Sequence, residues 1–323
     1  MIGQGKTRGQ VAILNTESAT NQNAAAIVVN EDHDATYVFQ QLLFRYKQIR
    51  NLSNSSGQQN LNLDIIKSIK LPKVTLVSQV YSANTLAVWD KAIEKTEALI
   101  AAKEKKFAWL TSNLINRANH DRHTASKYMS EVSTRNKGNK IVRVLSVTNH
   151  SGFVLPEERF KRRVASANVS NYKVIEKGQY AYNPSRINVG SIARLDNWNS
   201  GILSPMYVVF NIDRSQVRSD YFLHWLKSCE TRQRIKNSAQ GSVRETVSFK
   251  DLGAIDIPLP SMDLQKEIAY SLNAAQNEIT LLKKILNKYH HQKRGLMQKL
   301  LTGEWQVNVN TKQPEETLKE VSA

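Results

Sequence analysis

The sequence predicts an α+β protein built as a tandem repeat. Each copy is a globular α/β unit followed by a long helix whose seam needs a partner, and the nearest available partner is the other copy. Three observations lead there. Residues 260–303 carry two series seven apart, Leu272, Ile279, Leu286, Lys293, Leu300 and Ile268, Ala275, Leu282, Tyr289, Leu296, which alternate by four and three as an a/d seam does. From Pro72, adding 186 to each number lands on a similar residue for more than forty positions: Pro72 on Pro258, Leu86 on Leu272, Ile93 on Ile279, Leu114 on Leu300. Upstream, an offset of 181 places Gly9-Gln10-Val11-Ala12 on Gly190-Ser191-Ile192-Ala193 and Ile27-Val28-Val29 on Val208-Val209-Phe210.

In chain order, Val11–Leu14 and Ala24–Val29 read as strands separated by a polar turn, Asn15 to Asn23. Tyr37–Phe44 has helical spacing, and Asn51–Asn62, dense in Asn, Ser, Gly and Gln, is a loop. The first long helix follows Pro72. One of its seam series, Leu86, Ile93, Ile100, Phe107, Leu114, is wholly apolar; the other, Ser82, Trp89, Thr96, Lys103, Leu110, is patchy. The second globular unit opens on residues 117–163, with eleven Lys and Arg against four acids, either a phosphate-tracking surface or a solvated face. Ile141–Val147, Tyr180–Tyr182, Ile192–Leu195 and Tyr207–Phe210 read as strands, and Tyr221–Leu226 as a helix. Ser261 is placed to cap the second long helix and Gly303 to end it in a left-handed turn, giving a rod of roughly 60 Å. Lys293 alone breaks its apolar seam, and Phe107 is the repeat equivalent.

The chain has 323 residues, enough for two domains or more. A net charge of +17 favours a polyanionic partner, nucleic acid first. The single cysteine, Cys229, excludes an intrachain disulfide and a four-cysteine zinc site, and reads as a buried structural thiol. No long apolar run and no apolar segment after Met1 point to a membrane span or a signal peptide, so the expected location is cytoplasmic.

Several motifs fall short of catalysis. Gly5-Lys6-Thr7 has the end of a phosphate-binding loop without its first glycine or preceding strand, and reads as a recognition or turn loop. Asn183-Pro184-Ser185-Arg186 resembles the Asn-Pro-Pro-aromatic loop of adenine methyltransferases but lacks the second proline and the aromatic, so a structural turn is the better reading. His120, His123, His290 and His291 have no third ligand at metal-binding spacing. What remains is a set of polar loops able to hold phosphates or read base edges. In the first unit they are Gln4, Lys6, Thr7, Arg8, Asn21, Gln22 and Asn23, with Gln58, Gln59 and Asn60; in the second, Arg186, Asn188, Gln240, Ser242, Arg244 and Glu245.

Several of these stretches carry a family resemblance. Tyr182-Asn183-Pro184-Ser185-Arg186-Ile187-Asn188-Val189-Gly190-Ser191-Ile192, Gly201-Ile202-Leu203-Ser204-Pro205-Met206-Tyr207-Val208-Val209-Phe210, Gly241-Ser242-Val243-Arg244 and Ile257-Pro258-Leu259-Pro260 lead to the most specific part, Gln292-Lys293-Arg294-Gly295-Leu296-Met297-Gln298-Lys299-Leu300-Leu301-Thr302-Gly303. Together they resemble the specificity (S) subunit of type I restriction-modification systems. Gly5-Lys6-Thr7-Arg8-Gly9 with Thr20-Asn21-Gln22-Asn23 resembles a loop pair in one class of that family's target-recognition domains.

The resemblance implies two target-recognition domains, each reading one half of a bipartite site in double-stranded DNA, and two conserved helices that pair as an antiparallel coiled coil and set the spacer between the halves. On this reading residues 1–70 are the C-terminal part of the first recognition domain, 71–116 the central conserved helix, 117–257 the second recognition domain, 258–303 the C-terminal conserved helix and 304–323 a polar tail. It further implies no catalytic centre and no cofactor on this chain. Methyltransferase (M) subunits would bring S-adenosylmethionine for DNA methylation, and a restriction (R) subunit ATP and Mg. Lys6, Thr7, Arg8, Asn21, Gln22, Asn23, Arg186, Asn188, Ser242 and Arg244 would be the DNA-binding residues.

Against the family, the first unit starts at the equivalent of residue 182, which implies that about 65 residues of its front are missing and its strand edges unpaired. A truncated product, a subunit completed by another polypeptide, or a chain that self-associates through the helices all fit. The alternative function is a coiled-coil interaction scaffold without specific DNA reading.

Overall fold

The computed structural model describes residues 1–52, 60–149, 151–156, 168–240 and 246–305. In chain order the elements are α1 (Ala35–Phe44), α2 (Tyr46–Asn51), α3 (Leu63–Lys67), α4 (Leu76–Thr111), β1 (Arg122–Thr124), β2 (Met129–Val132), β3 (Ser146–Thr148), β4 (Gly152–Val154), β5 (Lys173–Glu176), β6 (Tyr180–Tyr182), β7 (Ile192–Arg194), β8 (Ser200–Leu203), β9 (Val208–Ile212), α5 (Ser219–Lys227), α6 (Cys229–Gln240), α7 (Phe249–Gly253), β10 (Asp256–Pro258) and α8 (Met262–Leu301). The chain divides into two compact units, Met1–Ile100 with Leu281–Ala323, and Ala101–Thr280.

The seam read from the sequence is what the long helices bury. In α8, Leu272, Ile279 and Leu300 are buried and Leu282, Leu286, Tyr289, Lys293 and Leu296 half-buried, while Glu278, Lys284 and Lys288 between them are exposed. The Ser261 hydroxyl accepts from the Leu264 N–H at 3.4 Å, and Gly303 turns the chain at φ +80°, where a side chain would be strained. Partners along α4 and α8 run in opposite senses. In the first unit Leu86 clusters with Leu300 and Leu301, Trp89 meets Tyr289 edge-on at 5.7 Å, and His290 lies 3.8 Å from Glu97. In the second, Lys103 pairs with Glu278 at 2.6 Å, and Phe107, Leu110 and Leu114 pack on the cluster containing Ile268, Ala269 and Leu272.

In the first unit α1 is capped by Asp34, whose carboxylate accepts from the Tyr37 N–H at 2.7 Å. The α1 residues Tyr37 and Gln41 lie against the helix pair, and the Gln41 amide donates to the Leu301 carbonyl at 2.9 Å. Lys293 is not an unmet break in the seam: it pairs with Asp90, whose other carboxylate oxygen accepts from Gln40 Nε2 at 2.8 Å. One polar layer thus ties α1, α4 and α8. Replacing a partly buried ion pair by an apolar residue is often neutral or stabilising, and a lone polar seam residue commonly fixes register at a cost in stability. Asp90→Leu with Lys293→Leu is therefore expected to keep or raise the thermal midpoint while broadening the mass distribution in light scattering, whereas Lys293→Leu alone leaves Asp90 without its cation and is expected to lower it; a lowered midpoint in the double variant would make the pair a net stabiliser.

Each unit contains a buried glutamine clamp. Gln79 accepts from the Asp34 N–H at 3.0 Å and donates to the Val74 carbonyl at 3.1 Å. Gln265, 186 residues on, accepts from the Arg218 N–H at 2.8 Å and donates to the Pro260 and Gln216 carbonyls at 2.9 and 3.1 Å. In each unit the glutamine fixes the start of a packed helix to the start of a long one.

Val11–Leu14 and Ala24–Val29, expected as strands, form no ladder: the lone bridge there joins Ile2 to Ala24, and Leu14 and Val28 are 62% and 93% exposed. β-propensity alone does not make a strand, which needs a hydrogen-bonded neighbour along its length; Ala24–Val29 meets one at its start, where the Ala25 N–H donates to the Met1 carbonyl at 2.8 Å, and the pairing does not extend into a ladder.

The second unit centres on an antiparallel sheet of order β2-β9-β6-β7, with two-stranded pairs β1-β10, β3-β4 and β5-β8 beside it. Its core is aromatic. Phe210 on β9 stacks on Tyr180 at 5.3 Å and meets Tyr182, Phe222 and Phe249 at 5.8 to 6.3 Å. Tyr180, whose hydroxyl donates to the Ser219 carbonyl at 2.7 Å, has its phenol pushed up to about 12 by burial. The strand expected over Ile141–Val147 gives way to β3, because its first residues make one isolated bridge to β8, Leu145 N–H to the Ile202 carbonyl at 2.8 Å and Ile202 N–H to the Arg143 carbonyl at 2.9 Å, rather than a ladder. Cys229, expected buried, is exposed. It opens α6, with Ser228 just before the helix and Thr231 in its first turn taking the inward positions.

Candidate nucleic-acid interface

In the first unit the structure joins the two loops singled out in the sequence. Gly3 N–H donates to the Asn23 carbonyl at 2.7 Å, Gly9 N–H returns to the Ile2 carbonyl at 2.7 Å, and the Leu61 N–H reaches the Gly3 carbonyl at 2.8 Å. Gly5 and Gly9 adopt φ of +77° and +85°, so the loop turns sharply on itself. Lys6, Thr7, Asn21, Gln22 and Asn23 point into solvent on adjoining turns, with Arg8 half-buried behind them and the Lys6 carbonyl held by Arg50 at 2.8 Å. Gln4 and Asn60 flank the same loop, half-buried. No helix follows Gly5-Lys6-Thr7, which closes instead as a turn, Gln10 N–H to the Thr7 carbonyl at 3.0 Å. Gln58 and Gln59 lie outside the described residues.

In the second unit Asn183 and Pro184 build the turn expected of them. The buried Asn183 side chain accepts from the Ser185 N–H at 3.1 Å, and its carbonyl accepts from the Arg186 N–H at 2.9 Å. A short 3-10 turn, Ile187–Val189, follows and ends on Gly190 at φ +92°. It buries Ile187 and turns Arg186 and Val189 outward.

This turn packs beside α6, and Asn188, Val189, Cys229, Arg232, Gln233 and Lys236 line a shallow cavity of about 330 Å³. Ile235 and Ala239 anchor α6 to the core, leaving Arg232, Gln233, Lys236 and Asn237 exposed. Asn188 Oδ1 is buried and accepts no hydrogen bond from the described residues. Ser242, Arg244 and Glu245 lie outside the described residues, as does the Gln240 side chain. The chain returns beside the turn, where the Val247 N–H donates to the Pro184 carbonyl at 3.1 Å and Tyr182 Oη to the Val247 carbonyl at 3.3 Å.

The structure therefore groups Lys6, Thr7 and Arg8 with Asn21, Gln22 and Asn23 in one unit, and in the other places Asn188, two residues after the exposed Arg186, beside a basic helix that sequence reasoning passes over. Arg232 and Lys236, one helical turn apart with Ile235 and Ala239 inward, are the available signal. The basic stretch that opens the second unit contributes less free charge than its count suggests: Arg122 is held by Glu230 at 2.9 Å, and Arg135 donates to the Asn171 carbonyl at 2.7 Å. No group of acids, histidines and cysteines among the described residues could hold a metal ion. No helix among them is long and apolar enough to cross a membrane.

Comparison with known proteins identifies the fold and the family. In solved structures the chain is similar to the S subunit of a type I restriction-modification system from M. genitalium, with a TM-score of 0.58 at 18% identity over 84% of this chain and 73% of that one. The HsdS subunit from Thermoanaerobacter tengcongensis aligns with a TM-score of 0.44 at 12% identity over 85% of this chain and 72% of that one. A Methanocaldococcus jannaschii protein named as the type I restriction enzyme MjaX specificity subunit is 33% identical over 87 residues, 27% of this chain but only 19% of that relative's length. The family model for the type I restriction modification DNA specificity domain matches residues 1–103 and 161–289. With most of its length matched, the chain belongs to the type I restriction-modification DNA specificity family.

Proposed function

We propose that this chain is the sequence-recognition subunit of a type I restriction-modification complex and reads a bipartite target in double-stranded DNA. The observation that carries this is the face of the second unit where Asn188 adjoins Arg232, Gln233 and Lys236, with the exposed Arg186 opening the same turn. Arginine and lysine hold phosphates or pair with guanine, and the amides of Asn and Gln match adenine's donor and acceptor edge. The joined loops carrying Lys6, Thr7, Arg8, Asn21, Gln22 and Asn23 serve the other half-site, with Ser242 and Arg244 completing the second.

The chemistry lies on partners. Methyltransferase subunits carrying S-adenosylmethionine, and a restriction subunit using ATP and Mg, dock on this chain, which itself has no catalytic role. The helices over 71–116 and 258–303 separate recognition domains at 1–70 and 117–257 and set the unread spacer. A second reading, a coiled-coil scaffold in which the first unit reads nothing, draws support from the unladdered segments at Val11–Leu14 and Ala24–Val29.

Substitutions separate the roles. Asn188→Ala is expected to reduce discrimination among duplexes by about 1–3 kcal/mol with little change in salt dependence. Arg232→Ala with Lys236→Ala is expected to weaken binding to all duplexes and flatten the salt slope by about 1 for each phosphate they neutralise. Competition binding across NaCl concentrations measures both, and an unchanged preference order after Asn188→Ala and Arg186→Ala would rule out base reading at this face.

A further inference from the structure

A second cationic site lies in the same unit at the opposite end of the β6–β7 hairpin. Lys177 and Gly178 precede β6, Arg194 and Asp196 lie at the end of β7, Arg214 follows β9, and Arg218, Ser219 and Asp220 begin α5; together they line an open cleft of about 610 Å³. Strand register separates it from the reading face: Tyr180 pairs with Arg194 at this end, Tyr182 with Ile192 at the other.

The four cations are not equivalent. Arg194 is committed to the fold, with Nε 2.6 Å from Asp196 and Nη1 2.6 Å from Asp220 and 3.0 Å from the Ser219 hydroxyl. Burial works against its charge, but the two carboxylates outweigh that and hold its pKa above the usual arginine value. Asp220 is held in turn by Asn273 Nδ2 at 3.2 Å, and the Asn273 oxygen meets His224 Nε2 at 2.8 Å. This network uses up both acids of the cleft. What remains is cationic: Lys177 and Arg218 are exposed with no side-chain partner among the described residues, and Arg214 spends one N–H on the Gly178 carbonyl at 3.1 Å.

We infer that Lys177, Arg214 and Arg218 form a phosphate clamp that grips the DNA backbone without reading sequence, while Arg194 serves only to hold the cleft together. The inference rests on the proposed DNA-reading function. Three outward cations on separate loops, against the single net negative charge that Arg194 leaves on Asp196 and Asp220, suit a phosphodiester better than a neutral ligand. An acidic partner surface would meet the same charges, and the test separates the two.

The test is binding of the full chain to a duplex of random sequence over a series of NaCl concentrations, comparing parent with Arg214→Gln/Arg218→Gln. The double variant is expected to bind about tenfold more weakly at low salt, with a salt slope smaller by about 0.9 for each phosphate it no longer neutralises, and an unchanged preference among duplexes. Lys177→Gln/Arg218→Gln, which leaves the Arg214 bond to the Gly178 carbonyl in place, repeats the test should the first variant melt early by circular dichroism. A parent that binds no DNA overturns both this inference and the proposed function. A parent that binds, with folded variants that match its affinity and slope, overturns the clamp alone and leaves the cleft to an acidic partner. A changed order of preferred duplexes also overturns it, because the cleft would then read bases.

Discussion

Phe210→Ala is expected to destabilise the second unit by about 3–5 kcal/mol, the range for removing a large aromatic from a closed core. Phe210 is fully buried, and β9, which carries it, pairs with β2 on one side and β6 on the other. Its ring touches the rings of Tyr180, Tyr182, Phe222 and Phe249, so truncation removes one wall shared by four aromatic neighbours and cannot be relieved by the shift of any one of them. A domain of this size commonly has about 5–15 kcal/mol in all, so much of the folded population would be lost near body temperature. Phe210→Leu keeps most of the volume and is expected to cost clearly less. Chemical denaturation followed by tryptophan fluorescence measures the difference, Trp225 being a buried reporter in the same cluster. Equal midpoints for Phe210→Ala and parent would mean that this sheet is not the core.

The second large effect is expected at the buried clamp. Gln265 is 1% exposed and makes three hydrogen bonds, so Gln265→Ala leaves the Arg218 N–H and the Pro260 and Gln216 carbonyls without their partner. A loss of about 2–4 kcal/mol is expected, from desolvated groups left unpaired together with a small cavity. Gln265→Glu is the sharper probe. A carboxylate can still accept from the Arg218 N–H but cannot donate to two carbonyls, so this variant should be at its worst near neutral pH and partly recover in acid as the carboxyl regains a proton. Gln79→Ala should follow with a smaller cost, since Gln79 makes two such bonds in the first unit. Thermal melts of the three variants give the order, and equal melts for Gln265→Ala and parent would reduce the clamp to a packing detail.

The parts of this fold that can be read from the sequence are those set by local periodicity. The 3.5-residue repeat of α8 names its buried face residue by residue, and Ser261 and Gly303 mark its ends because capping needs only a hydroxyl and a residue tolerant of positive φ. Lys293 is visible as a break in the seam, but Asp90 and Gln40, which explain it, lie on two other elements, and periodicity cannot pair residues across the chain. Apolar runs at Val11–Leu14 and Ala24–Val29 suggest strands for a similar reason: composition reports a preference for burial, whereas a ladder depends on a neighbour elsewhere. Residue type alone points Cys229 inward, while its position on α6 turns it out.

The same limit applies to the candidate site. Asn183 and Pro184 announce a turn, and Arg186 and Asn188 stand out because the turn chemistry is local. Arg232, Gln233 and Lys236 do not, since a basic helix becomes part of a site only when the fold sets it beside that turn. Arg194 shows the converse: a formal charge in the sequence that the fold spends on Asp196 and Asp220.

The most direct measurement of the central claim is a genome-wide map of methylated adenines in cells expressing this chain together with a type I methyltransferase subunit. One bipartite motif with a fixed spacer is expected, present only when this chain is expressed, and its second half should lose definition in Asn188→Ala. Methylation that is absent with both subunits present, or that keeps the same motif without this chain, would contradict sequence recognition by it.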